Sequence, residues 1–216
     1  MTSRLSRWRL PAALIALSFV PVIAGIARLV QLGGGVATPG SDRFFAAPIP
    51  VALHIPAAIL FSLLGAFQFS AEFRRRHREW HRKVGRLLVI SAFVVAVSGL
   101  WMTLTYPWPA GDGIVVYAER LTFGIAMLLS IVLGVEAIRR RDFISHGEWM
   151  IRAYAIGMGA GTQVLTHLPW FLLADAAPSE GPRAFMMGLG WVVNVVVAEW
   201  IIRRPPQRAP VSISSA

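Results

Sequence analysis

Histidine carries most of the side-chain chemistry open to this sequence. The chain has five histidines and no cysteine, which removes disulfides, cysteine-held iron–sulfur clusters and thiol nucleophiles from consideration. Four of the five fall into two pairs by position. His54 and His167 each lie near the same expected face of a membrane, in two different apolar runs. His81 and His146 stand at the opposite face, each five residues beyond the last of three arginines. An imidazole from each of two facing helices is what a b-type haem takes as axial ligands, with the porphyrin between them. A neutral imidazole is also a proton acceptor, which a quinone pocket uses. Haem b and quinone are therefore the cofactor classes suggested, with His54, His81, His146 and His167 as candidate ligands. For a lone histidine, a hydrogen bond to a neighbouring helix or headgroup explains its presence as well, and the pairing by depth is what favours a site.

Several polar residues could support such a site. Gln68 follows His54 by 14 residues, which places the two on nearly the same helix face about four turns apart. Gln163 lies one turn before His167. Arg82 and Trp149 flank the two histidines of the other pair, and Arg152 is placed to pair with Glu148 at i, i+4 or to bind a lipid phosphate. Ser145-His-Gly-Glu148 has the form of a capping box, which predicts a helix starting at His146 whose N-terminal partial charge keeps that ring neutral. From His146 to His167 the helix would rise ~31 Å, the full hydrocarbon thickness. Ala153, Gly157 and Gly161 form a small-residue stripe on it, with Gly159 adjacent. Such a stripe either makes room for a porphyrin or packs another helix closely.

The elements that must hold these residues are membrane spans. Of 216 residues 56% are hydrophobic and only 15% charged, with a mean hydropathy of +0.59. The apolar residues come in blocks, and about 20 in a row cross ~30 Å of hydrocarbon. The expectation is an all-α integral membrane protein with about six spans, near 11–32, 51–69, 87–106, 115–138, 149–173 and 184–202. Spans two to five would form a four-helix core within one domain over 1–204, and 205–216 read as a disordered cytoplasmic tail. The first run is too long for a signal-peptide core and no small-residue cleavage site closes it.

The formal charge of +10 does not mark a nucleic-acid binder, because the basic residues lie between apolar blocks rather than on one solvated face. They report topology. Lys and Arg number 21, and all but Arg28, Arg43, Arg120 and Arg183 fall on one expected side, which by the positive-inside rule puts both termini in the cytoplasm. Anionic lipid headgroups at the basic loops are the partners this implies. The two connections that carry arginines followed by histidine, Arg76 with His81 and Arg141 with His146, also hint at a duplicated helical hairpin.

Taken in order, His54, Gly65, Gln68-Phe69, the arginines, His81-Arg82, Gly85-Arg86, Asp142, His146, Trp149-Met150-Ile151-Arg152 and Tyr154 resemble a bacterial family of predicted membrane proteins, the domain of unknown function 2306. The resemblance covers His54 to Pro169 and implies a multi-pass protein of the bacterial inner membrane with no established activity. It supports His54, His81 and His146 as site candidates; His167 rests on depth alone. The chain departs from the family pattern at Leu87-Leu88, where a tyrosine is frequent, and at Gln163-Val164, where an arginine is frequent. At the level of fold the histidine-bearing core is also similar to membrane cytochromes b. The leading expectation is a membrane redox protein using haem b or a quinone. A small-molecule transporter, with Pro21, Pro56 and Pro169 as helix-breaking positions, is the alternative from another class. A structural or accessory membrane protein is the third.

Overall fold

The computed structural model describes residues 2–204 apart from 36 and 39, so the expected tail at 205–216 lies outside the described residues. Nine helices follow one another among the described residues, with no strand: α1 (Thr2–Gly34), α2 (Asp42–Ala46), α3 (Pro48–Gln68), α4 (Ala71–Arg76), α5 (Arg78–Thr105), α6 (Ile114–Arg139), α7 (Phe143–Gly157), α8 (Gly159–Leu173) and α9 (Glu180–Ile202). Five of them, α1 from Trp8 onward, α3, α5, α6 and α9, are long and apolar enough to cross a membrane. Their outward faces carry large exposed apolar side chains such as Val30, Ile90, Leu129 and Trp200. Water would not tolerate so continuous an apolar surface, and lipid does.

The fifth expected span, one helix over 149–173, is two. Helices α7 and α8 have 15 residues each, ~22 Å apiece, and only together do they match the hydrocarbon thickness. They meet at Met158, whose N–H donates to the Tyr154 carbonyl at 2.9 Å and whose own carbonyl accepts from Gly161 N–H at 3.1 Å. Glycine flanks the joint on both sides, and glycine tolerates the departure from regular helix. Close packing holds it there: a Cβ at Gly157 would strike Phe61, one at Gly159 would strike the Trp191 indole, and one at Gly161 would strike the backbone of Leu17. The small-residue stripe is thus filled by neighbouring chain. Proline does not make the break, since Pro21, Pro56 and Pro169 sit inside α1, α3 and α8.

Two helix starts differ from expectation. Helix α5 begins at Arg78 rather than near residue 87, so His81, Arg82, Gly85 and Arg86 lie within its first turns. Glu79 in its first turn suits the positive end of the helix dipole and pairs with Lys83 at 2.7 Å. Helix α7 is capped by Asp142, not by Ser145. The Asp142 carboxylate accepts the Ser145 N–H at 3.0 Å and the Ser145 hydroxyl at 2.6 Å, which uses the serine as a donor and advances the start to Phe143. Those two bonds hold the Asp142 carboxyl below its ordinary value. A consequence of the two corrected starts is symmetry: His81 and His146 each occupy the fourth position of a helix, their N–H groups donating to His77 and Asp142 at 2.9 and 3.0 Å.

The core is the four-helix one expected. Ala57 and Phe61 of α3, Leu88 and Ala92 of α5, Met127 and Ile131 of α6, and Ala153 and Tyr154 of α7 form one buried cluster, against which Leu14 and Leu17 of α1 and Trp191 and Val195 of α9 pack from outside. Tyr154 organises its centre. Its ring lies edge-on to Phe61 at 5.4 Å and against Phe69 at 4.7 Å, fills the space left by Gly65, and its hydroxyl donates to the Ser62 carbonyl at 2.7 Å.

Candidate functional site

The bundle leaves a cavity of about 330 Å³ between α3, α5, α6, α8 and α9, opening at the end opposite the arginine-rich connections. Its size falls in the range of small-molecule sites. His54 is the one histidine that lines it; Gln163, Trp191 and Phe123 contribute to its wall, and Arg43, Arg120 and Trp108 stand at its mouth. Trp191 is held flat against Phe123, with ring centroids 4.9 Å apart, so one side of the space is an aromatic plate.

The hydrogen bonds fix what His54 can do. Its Nδ1 lies 3.0 Å from Ser98 Oγ, and the Ser98 hydroxyl in turn donates to the Val94 carbonyl at 2.5 Å. With its single proton committed to that carbonyl, Ser98 can only accept from the ring. Nδ1 therefore carries the imidazole proton, and Nε2 is left as a base or ligand atom. His146 and His167 follow the same logic through backbone carbonyls, their Nδ1 atoms lying 2.8 Å from Gly134 O and 2.7 Å from Gln163 O. A ring so held presents Nε2 in the tautomer that a metal or a proton donor requires.

The four histidines do not gather in one place. His167 is buried in α8 on the Gln163 carbonyl, stacked on Phe171, and is not among the residues that line the cavity. Gln163, from the preceding turn, reaches the cavity wall while its amide nitrogen donates to the Met187 carbonyl of α9 at 3.1 Å. At the basic end, His81 and His146 stand in the first turns of α5 and α7, and Arg74 donates to the Gln68 carbonyl at 3.3 Å. Gln68 is buried with neither amide atom hydrogen-bonded, and His81 Nδ1 is likewise buried without a partner. Gly85 leaves room next to the Gln68 carboxamide oxygen. The remaining supporting residues divide. Arg82 is exposed. Arg152 pairs with Glu199 of α9, at 2.5 and 3.2 Å, rather than with Glu148 of its own helix, and lies over the Trp149 ring at 4.5 Å.

Sequence reasoning missed the mouth of the cavity. Asp112, buried in the α5–α6 connection, receives Arg120 of α6 and Arg183 of α9, each at 2.5 Å. On the other side Phe44 of α2 lies between the Arg28 and Arg43 guanidiniums, 4.6 and 4.7 Å from its ring centroid. These are the four arginines that the charge count left on the far side. Their exclusion from the basic end was the only sequence signal. Ser98 had none, since nothing ties residue 98 to residue 54 until α3 and α5 pack.

These features define a multi-pass, all-helical membrane protein with a small-molecule-sized cavity at the end away from its basic connections. Residues 51–202 match the family model described as "Predicted membrane protein (DUF2306)", which is more than half of the chain, and the protein belongs to that family. No curated protein and no solved structure matches the chain.

Proposed function

We propose that the protein is a quinol-binding protein of membrane redox metabolism that takes a quinol-class ligand into the cavity, with His54 Nε2 accepting a hydrogen bond from a hydroxyl of the bound ring. The observation that carries this reading is the His54–Ser98–Val94 chain, which commits the imidazole to one tautomer in the wall of a mainly apolar space. The aromatic plate of Trp191 and Phe123 suits a flat ring. Between the two cofactor classes, a b-type haem with paired axial imidazoles calls for two histidines across one space, and a quinol needs one. The cavity supplies one. In the same reading the basic end lies at the cytoplasmic face of a bacterial inner membrane against anionic headgroups.

The test is equilibrium binding of a short-chain benzoquinol to the purified protein in lipid nanodiscs, followed by tryptophan quenching. Saturable quenching with at least tenfold weaker affinity in His54→Gln is expected, and a His54→Gln protein that binds as wild type does would sink the reading. A reduced-minus-oxidised spectrum of the same sample separates the haem version, which requires a Soret shift. One observation favours a transporter instead: the interrupted helix at Met158 adjoins the cavity residues Gly157 and Ala160, as helix breaks adjoin substrate sites in transporters. Uptake of the ligand into proteoliposomes, absent for His54→Gln, is the outcome that would select it.

A further inference from the structure

We propose that the mouth of the cavity is an anion-recognition site, in which Arg43 takes the oxyanion group, carboxylate or phosphate, of an amphiphile whose apolar part enters the cavity. Four guanidiniums lie at this end and only two of them have a carboxylate: Arg120 and Arg183 share Asp112, while no carboxylate lies within 4 Å of Arg28 or Arg43 among the described residues. Arg28 is tied to Gln31 and to the Phe44 face. Arg43 has the most unused capacity. One of its terminal nitrogens makes a long 3.4 Å contact to the Pro107 carbonyl, its Nε is buried without any partner, and the side chain lines the cavity. Unsatisfied buried donors on a charged group are rare in folded proteins unless something binds them. A guanidinium fork matches a carboxylate or phosphate in two hydrogen bonds.

Placement points the same way. Arginine on the far side opposes the orientation that the other basic residues set, yet all four exceptions collect around one opening. Burial, and next the neighbouring Arg120, hold the Arg43 guanidinium below its ordinary value, with Asp112 acting in the opposite sense; an arriving anion relieves that strain. Asp42, exposed beside Arg43 on α2, and Glu119 and Glu180, which sit against Gly188 and Gly113, are the other carboxylates nearby, and none makes an ion pair with any of the four arginines among the described residues. The site shares its cavity with the quinol reading but rests on a different group, because a neutral ring is held through His54 and an anion through Arg43.

The probes are decyl phosphate and decanoate, with decanol as the neutral match, and the readout is the thermal midpoint of the full chain in detergent as a function of probe concentration. A saturable rise is expected with both anions and not with decanol, since a ligand of the folded state alone stabilises it. Arg43→Gln should lower the apparent affinity for decyl phosphate at least tenfold. Arg43→Lys, which keeps charge and loses the fork, should fall between, and Arg75→Gln at the basic end should change nothing. Should Arg43→Gln not fold, Arg28→Gln is expected to weaken binding in the same direction. Equal stabilisation by decanol, or an unaltered affinity in the folded arginine variant, overturns the proposal. Competition by short-chain phosphatidylglycerol identifies a lipid headgroup as the source of the anion, and its failure to compete identifies a free amphiphile; either result requires the site. Decanoate that still stabilises the protein when the quinol does not bind separates failure of the quinol reading from failure of this one.

Discussion

At the scale of single residues, the bundle contrasts two kinds of buried position. Gly65 is a packing necessity, because the Tyr154 ring occupies the place where a side chain would begin. Gly65→Ala should cost ~1–3 kcal/mol through overpacking of a filled core. Gln68 lies one turn further along α3 and is the reverse case, a polar group whose amide has no partner. If the space beside it is dry, Gln68→Met removes an unsatisfied dipole at similar volume and should leave stability unchanged or raise it by ~1–2 kcal/mol. Thermal unfolding of the two variants in the same nanodiscs decides the matter. A loss for Gln68→Met as large as that for Gly65→Ala would mean that the amide binds a group in the space beside Gly85. The depth of each histidine was legible in the sequence, since it follows from counting along an apolar run. Their partners were not: Ser98 is 44 residues from His54 and Gly134 is 12 from His146, and those distances close only when helices pack.

At the scale of elements, α7 and α9 are joined by charge. Arg152 and Glu199 form a two-point pair, Arg203 adds a longer contact to the same carboxylate at 3.6 Å, and the Trp149 ring covers the guanidinium. Both partners are about a quarter exposed, at 23% and 27%, so the pair is worth less than a fully buried one and more than a surface one. Glu199→Gln alone should cost ~1–2 kcal/mol, because it leaves Arg152 against the bundle with half its partner. The double variant Arg152→Met, Glu199→Met should cost less than the sum of the singles, and additive losses in thermal unfolding would rule out direct coupling. The sequence pointed Arg152 toward Glu148 because i, i+4 is the only spacing a single helix reveals. It also hid the joint at Met158. Ala153, Gly157 and Gly161 read as a stripe on a continuous helix with Gly159 adjacent, whereas each of the three glycines meets a different neighbour, and the space demanded by Phe61, Trp191 and Leu17 decides where the helix changes course.

For the whole molecule, charge is segregated along the bundle axis: among the described residues Arg28, Arg43, Arg120 and Arg183 lie at the cavity end, and the arginine-rich connections at 74–86 and 139–141 lie at the other. That asymmetry sets the expected orientation, basic end in the cytoplasm. It also sets the access route to the proposed sites: the cavity would then open toward the opposite compartment, and both the quinol and the anion would arrive from that leaflet. The absence of cysteine from the sequence makes the orientation directly measurable, because a single introduced thiol is the only reactive one. Ala110 and Arg75 are exposed at the two ends, on the α5–α6 connection and on α4. In intact cells a membrane-impermeant maleimide should label Ala110→Cys freely and Arg75→Cys only after the inner membrane is opened. The reverse pattern would turn the molecule over, place the Arg43 mouth against the anionic cytoplasmic leaflet, and make a phospholipid headgroup the nearest anion for it to hold.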